Sequence, residues 1–448
     1  MTFKVKKICK GKSKIKNKVW RRLVRTFGSK KAFFYVLFFT ISVVLLLGAV
    51  ILNAGIFTDK VRQLVSVGPL KKGEFGHTNI LLLGVAGKNE EGGNLSDSIL
   101  ILSINPKNPS ASFLSLPRDL FIESGIGDRK INEIYAAARY KYKNDRKGLE
   151  VMKKALSDFT GVKIHYGAVI NFQVFEDFVD ELGGIDMFVS KEIVDPFYPD
   201  EHYGYKTFIV RKGLQTLDGA AALQYARSRK TSSDYDRAQR QQDLLLAIRK
   251  KVADLNLLTD FDKLRTFYNI FKQNINTDLG IVEIVELAKL AVSINYQNSI
   301  SAVLNDDPTQ KGGFLYTPAR EFYGGQFVLL PKNLRDTQKF IELVLVQPEI
   351  LLENMQFSIL NGSKISGYAN KMATRLRRFG FHVIDIGNYE SSRPIFRSFF
   401  YDYAEEKALG SKNFLKEFLD IKEMSSLQES EVFNEDKLVD LQIILGTN

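Results

Sequence analysis

The chain opens on a lysine-rich stretch, residues 1–31. An unbroken uncharged run follows from Ala32 to Thr58, densest in apolar residues from Phe33 to Leu52. About 20 apolar residues are enough to cross a bilayer as a helix. Residues 32–57 are therefore predicted to span the membrane once. With no small-residue cleavage site, they form a retained signal-anchor rather than a removed leader. Residues 58–74 read as a stalk, broken at Gly68-Pro69 and Gly73.

Beyond the stalk the period changes. Asn79–Val85 is a short apolar strand that runs into a glycine-rich loop, Gly84 to Gly93. Ser98–Ile104 is apolar on both faces, as a central strand covered on two sides would be. A turn at Asn105–Pro109 leads into another strand, Ala111–Leu116, which ends at Pro117-Arg118-Asp119. Helix and strand then alternate: Leu149–Phe159, Ile164–Ile170, a helix capped by Asn171 and running to Leu182, and Ile185–Val189. Residues 190–213 read as an excursion rich in Pro, Tyr and Gly. Thr216 is expected to cap a helix through Ala226, and Asp234 or Asp236 a long helix reaching about Leu255.

Near Gln347-Pro348 the pattern restarts as a small strand–helix–strand unit: Phe357–Leu360, Ser366–Phe379 closed by Gly380, then Phe381–Ile386, with Leu441–Leu445 to finish. The fold class expected is α/β throughout. A single transmembrane helix precedes an α/β sandwich domain with a central mixed sheet (75–335). A linker (336–354) and a small α/β C-terminal domain (355–448) follow. That last domain is expected to be dispensable for chemistry; a truncation near Val346 that still folds but is dead would contradict this.

Charge sharpens this layout. The net charge of +12 looks like a nucleic-acid signal, but 13 of the 63 basic residues lie in residues 1–31, which hold no acidic ones. The other 50 face 51 acidic residues. A basic flank stays cytoplasmic, so everything after Thr58 is expected outside the cell. A near-neutral exterior portion is no nucleic-acid binder. Cys9, the single cysteine, lies in the basic stub, so the exterior part has no disulfide framework. The four histidines, His77, His165, His202 and His382, show no metal-ligand spacing.

Two clusters can carry chemistry. A hairpin centred near Lys107–Asn108 would set Asp97 opposite Arg118. A carboxylate there can hold Mg²⁺, and the guanidinium can grip phosphate oxygens bidentately; the plain alternative is an ion pair that closes the hairpin. The second cluster is Gln224–Gln242, with Arg227, Arg229, Arg237 and Arg240 around the start of a predicted helix. Cations are disfavoured at a helix N-terminus, whose free N–H groups bind anions. Arg237, Arg240 and Gln241 share a helical face with Leu244, Ile248 and Val252, so they point inward or into a cleft. Either Asp234 and Asp236 neutralise them in a salt-bridge cluster, or a bound pyrophosphate does. Phosphoryl chemistry, which depends on positioning and charge stabilisation, is the reaction class this favours.

Ser96-Asp97-Ser98, Leu116-Pro117-Arg118-Asp119, Tyr225-Ala226-Arg227-Ser228-Arg229, Asp234-Tyr235-Asp236-Arg237 and Arg240-Gln241-Gln242 together resemble the LytR–CpsA–Psr family in order and spacing. The resemblance covers roughly residues 75–335. Residues 355–446, with Leu360-Asn361-Gly362-Ser363 and Gly367, resemble the separate LytR C-terminal domain.

The resemblance implies a membrane-anchored ligase. Such an enzyme moves a glycopolymer from a polyprenyl-pyrophosphate carrier to peptidoglycan through a phosphodiester. It implies that Asp97 coordinates Mg²⁺ on the pyrophosphate, and that Arg118, Arg229 and Arg237 clamp phosphate oxygens. Arg227, Arg240 and Gln241 would complete the site, and Asp234 would orient arginines or assist the metal. Two positions depart from the family pattern: Ala86 stands where many members carry Asp, and Leu95 where many carry Arg. A glycan-binding module without catalysis and a polyprenyl-pyrophosphate hydrolase are the competing readings.

Overall fold

The computed structural model describes residues 70–87 without 74, 93–228 without 190 and 200–203, isolated positions between 244 and 294 together with 275–280, 299–404 without 392, 408–421, 424–425 and 439–447. The predicted membrane span, residues 32–57, lies outside them. Among the described residues no helix is long and apolar enough to cross a membrane.

In chain order the main elements are β1 (Thr78–Val85), β2 (Ser96–Asn105), β3 (Ser110–Leu116), α1 (Ile131–Tyr142), α2 (Asp145–Thr160), β4 (Tyr166–Asn171) and α3 (Phe172–Glu181). Then come β5 (Ile185–Val189), β6 (Ile193–Pro199), β7 (Tyr205–Val210), β8 (Gly213–Leu217), α4 (Gly219–Arg227), β9 (Asn276–Thr277) and β10 (Ile300–Val303). The C-terminal third adds α5 (Leu334–Leu345), α6 (Pro348–Leu352), β11 (Gln356–Asn361), α7 (Tyr368–Phe379), β12 (His382–Asn388), β13 (Phe399–Asp402), α8 (Leu409–Leu419), β14 (Met424–Ser425) and β15 (Leu441–Leu445).

The chain divides into two compact units. One holds the described residues from 178 to 256; the other holds 70–177 and everything described after residue 257. In the larger unit, six strands form one mixed sheet in the order β9-β4-β1-β2-β3-β10. β1–β2 and β2–β3 are antiparallel, while β1–β4 and β3–β10 are parallel. β1 and β2 are apolar without alternation because both their faces are buried. On one face Leu81, Leu83, Ile99, Ile101 and Leu114 share a core with Ile134 of α1 and Met152 and Leu156 of α2. α2 starts where the Asn144 side chain accepts from the Lys147 N–H, and stops at Gly161 in the left-handed region.

The C-terminal domain is a five-stranded sheet, ordered β12-β11-β15-β13-β14, with α7 and α8. Residues 336–354, expected as a linker, instead lie largely in α5 and α6. Phe340, Ile341, Leu343, Val344 and Leu345 are fully buried in the core that both domains share. Rings run from one domain into the other: Phe340 to Phe314 (5.1 Å between centroids), Phe314 to Phe379 (4.9 Å) and Phe379 to Phe414 (5.6 Å). Arg375 of α7 grips Asp336 of α5 with two hydrogen bonds, 3.0 and 2.7 Å. The Gly312 N–H donates to the Arg378 carbonyl at 2.8 Å.

In the smaller unit, the excursion 190–213 is an antiparallel hairpin of β6 and β7. The helix expected from Thr216 begins later. Thr216 is paired in β8 with Asp186 of β5, and Asp218 supplies the cap by accepting from the Ala221 N–H. A carboxylate caps better than a β-branched hydroxyl already committed to a ladder.

Two histidines lie buried at the base of β1. His165 Nδ1 accepts the Asn79 N–H at 3.0 Å, and His77 Nδ1 faces Ser103 Oγ at 3.2 Å. Burial holds both imidazoles below their ordinary range, and for His165 the charge of Lys163 adds to it. The unfolded chain therefore binds more protons than the fold once the pH drops below about 6.5. Stability contributed by keeping these rings neutral is complete above that pH and is lost as pH falls towards the folded values. The thermal midpoint should fall between pH 7 and pH 5, and His165→Gln should flatten that slope. An unchanged slope in the variant would remove His165 from the account.

Candidate functional site

The β1–β2 register slips between Gly84 and Val85: Gly84 faces Ser98, whereas Val85 faces Ser96. Asp97 is the extra residue. Such a bulge breaks the ladder and re-aims a side chain, and here the carboxylate emerges between two buried serines, Ser96 and Ser98. Across the next pair Ile99 faces Leu116, so the same register carried two residues further brings Arg118 to Asp97. Arg118 Nη1 donates to Asp97 Oδ1 at 2.9 Å. This is the pairing that hairpin symmetry predicts.

The turn after β3 is fixed from several sides. The Leu120 N–H donates to the Pro117 carbonyl at 3.0 Å, and the Asn132 N–H to the Arg118 carbonyl at 3.3 Å. Asp119 lies 3.5 Å from Arg118 Nε and 3.0 Å from Lys130 Nζ. Asp97, foremost through its hydrogen bond, raises the guanidinium pKa further, so Arg118 stays charged throughout. Both partners remain open to solvent, at 56% and 55% exposure of their side chains. An exposed pair of this kind stabilises a fold by only about 0–1 kcal/mol, and a ligand can reach it.

Sequence reasoning missed the neighbours that set this edge. Arg139 of α1 donates to Asn94 Oδ1 at 2.8 Å and pairs with Asp145, tying down the stretch just before Asp97. The Gly87 N–H donates to the Gly93 carbonyl at 2.8 Å and closes the variant loop. Ala86 and Leu95 are both half-buried. The Lys130–Asp119 pair has no signal in the sequence beyond the run Pro117-Arg118-Asp119, which marks the turn.

Arg118 and Lys130 are balanced by Asp97 and Asp119, so the described residues of this edge carry no spare positive charge. The rest of the expected cationic cluster, Arg229, Asp234, Arg237, Arg240 and Gln241, lies outside the described residues, as does the Arg227 side chain. Within its own unit, Arg227 closes α4, and Ser228 Oγ donates to the buried carboxylate of Asp195 at 2.7 Å. Asp195 thus pins Ser228, at the end of α4 next to Arg227. Its inward place follows from the alternation in β6, where Ile193 and Asp195 are buried and Val194 is exposed.

Asp97 Oδ1 is taken by Arg118, while among the described residues no hydrogen bond engages its second oxygen. Among the described residues, no group of three His, Cys, Asp or Glu could cage a metal ion. Mg²⁺ bound to a phosphate substrate commonly uses one or two carboxylates plus phosphate oxygens and water. The single free carboxylate oxygen fits that mode and does not fit a protein-only cage.

The pattern that defines the LytR_cpsA_psr family matches residues 59–316, and that of LytR_C, described as LytR cell envelope-related transcriptional attenuator, matches residues 354–448. Over 269 residues the chain is 28% identical to the polyisoprenyl-teichoic acid–peptidoglycan teichoic acid transferase TagT of Bacillus subtilis, covering 59% of this chain and 76% of that one. TagU of Bacillus mycoides, with the same descriptive name, is 30% identical over 247 residues, 54% of this chain and 71% of its own length. A crystal structure of B. subtilis TagT overlays with a TM-score of 0.40 at 25% identity, covering 63% of this chain and 95% of that one. The first family pattern spans more than half of the sequence and contains Asp97, Arg118 and the whole arginine cluster: this chain is a member of the LytR–CpsA–Psr family.

Proposed function

We propose that this protein is a membrane-anchored phosphotransferase. It moves a glycopolymer from a polyprenyl-pyrophosphate carrier to peptidoglycan and leaves a phosphodiester between them. The observation that carries this reading is the Asp97–Arg118 pair, aimed outward by a bulge and open to solvent within a family motif. The relatives named above are transferases of a polyisoprenyl-linked teichoic acid to peptidoglycan.

An acceptor sugar hydroxyl attacks the phosphorus on the sugar side of the pyrophosphate. The new O–P bond forms as the bond to the bridging oxygen breaks. Polyprenyl monophosphate leaves, and the hydroxyl proton passes to a base. Arg118 holds non-bridging oxygens through its planar fork, neutralising charge that grows on them in the transition state. Arg229 and Arg237 are assigned the same clamping role, with Arg227, Arg240 and Gln241 beside them. Asp234 keeps the arginines oriented. The charge balance around Arg118 supports this assignment, because one guanidinium already shared with Asp97 cannot neutralise a pyrophosphate. Mg²⁺, when bound, would sit on the free oxygen of Asp97 and supply further charge neutralisation.

Residues 32–57 anchor the protein, with residues 1–31 in the cytoplasm and the family domains outside the cell. To test the function, purified full-length protein is incubated with a lipid-linked glycan and peptidoglycan strands. Polyprenyl phosphate should appear in step with glycan on the acceptor and cease on chelation of Mg²⁺. Polyprenyl phosphate accompanied only by free glycan phosphate would identify a hydrolase instead.

A further inference from the structure

β1 runs from the base of the sheet towards Asp97, so its two ends lie roughly 20–25 Å apart. At the base, where β1 begins beside α5 and the C-terminal domain, a cavity of about 1050 Å³ opens. Its wall includes Lys72, Phe75, Asn79, Lys163, Arg335 and Gln338.

The wall has three properties that together define a ligand. The first is unbalanced charge. Lys339 is paired with Glu342 (3.4 Å) and Glu417 (3.7 Å), and Arg375 with Asp336, all in the same wall. Lys72, Lys163 and Arg335 are exposed and have no side-chain partner among the described residues. Among the described residues the wall therefore holds five cations against three carboxylates, in a chain that is otherwise close to neutral outside its N-terminal stub. The second property is an unmet acceptor. Asn79 is 2% exposed, and its Nδ2 donates to the Lys163 carbonyl at 2.8 Å, yet among the described residues its Oδ1 has no hydrogen-bond partner. A buried amide oxygen without a donor is costly, and a ligand hydroxyl can supply one. The third is the Phe75 ring, 59% exposed, which offers a flat apolar surface. Cations for phosphate, an acceptor for hydroxyl and a ring for C–H faces describe a sugar or polyol phosphate.

We propose that this cavity is a second binding site, specific for a phosphodiester-linked sugar or polyol polymer, remote from the reacting phosphate. The inference rests on the polymer-transfer function above, since a long donor or a polymer already attached to the wall presents such segments. It assigns the C-terminal domain a role as one wall of a polymer-binding site.

The test uses the full-length protein in a neutral detergent. Binding of short poly(glycerol phosphate) is compared with binding of a dextran of equal length, of inorganic phosphate, and of vesicles rich in phosphatidylglycerol. The polymer should bind, and Lys163→Glu with Arg335→Glu should weaken it about tenfold or more. At pH 8, where His165 is neutral in the folded and unfolded chain alike, that double variant should leave the thermal midpoint, and polyprenyl phosphate release from a short donor, unchanged. Lys72→Gln with Lys163→Gln should weaken binding less, in the same direction.

Absence of polymer binding, equal binding of dextran, undiminished binding in both variants, or a charge-dependent preference for vesicles would each overturn the proposal. Normal transfer combined with charge-insensitive polymer binding rejects the cavity alone. Charge-dependent polymer binding in a protein that transfers nothing rejects the transferase reading and leaves the cavity standing.

Discussion

Arg118→Ala should lower the rate of polyprenyl phosphate release by about 100- to 1,000-fold, the usual loss when one donor to a developing oxyanion is removed. The thermal midpoint should barely move. Arg118 is more than half exposed, and its pair with Asp97 adds about 0–1 kcal/mol to stability. This contrast separates a group that acts on the transition state from an ion pair that merely closes a hairpin. The loss should fall on kcat more than on KM, because an interaction made chiefly in the transition state lowers both kcat and kcat/KM. Arg118→Lys keeps the charge but loses the planar fork, so it should recover only part of the rate. Asp97→Asn should also slow the reaction and should weaken its dependence on Mg²⁺. Wild-type turnover in Arg118→Ala would remove the arginine clamp from the mechanism.

The second large effect is on stability. Phe379→Ala should cost about 3–5 kcal/mol, the range for deleting a buried aromatic ring. Phe379 is fully buried and touches Phe314 on one side and Phe414 and Phe418 on the other. It therefore belongs to both domains, and the variant should destabilise both together in one calorimetric transition. Truncation after Val346 should be worse. It removes Phe379, the partner of Phe314, and breaks the Arg375–Asp336 clamp, exposing a core that the sheet and the C-terminal domain share. The C-terminal domain therefore contributes to the stability of the first family domain, whatever its part in the chemistry. Two separate transitions, with the first family domain unmoved by Phe379→Ala, would contradict the shared core.

The pairing of Asp97 with Arg118 was legible because antiparallel registers are symmetric about their turn, so equal distances from Lys107–Asn108 bring two residues together. The bulge that aims Asp97 outward was not legible. It depends on how Gly84 and Val85 relax at the end of a ladder, and the apolar pattern continues through them unchanged. Gln347-Pro348 falls at the break between α5 and α6, but such punctuation marks where the chain turns and says nothing about what packs across the turn. Phe340, Ile341, Val344 and Leu345 carry a helical stripe that was available in the sequence, yet its partner Phe314 lies far back in the chain. Asp195 is a harder case: a lone acidic residue in a Pro- and Tyr-rich stretch gives no sign that Ser228, thirty-three positions on, will be its partner.

The central claim is that a phosphorus atom moves from lipid to wall, and labelling that atom tests it most directly. Full-length protein is given a polyprenyl-pyrophosphate-linked glycan whose sugar-side phosphorus is radiolabelled, together with peptidoglycan and Mg²⁺. The account predicts that the label becomes fixed to peptidoglycan while unlabelled polyprenyl monophosphate is released in equal amount. Label that stays on the lipid, or that appears only in soluble glycan phosphate, would contradict it.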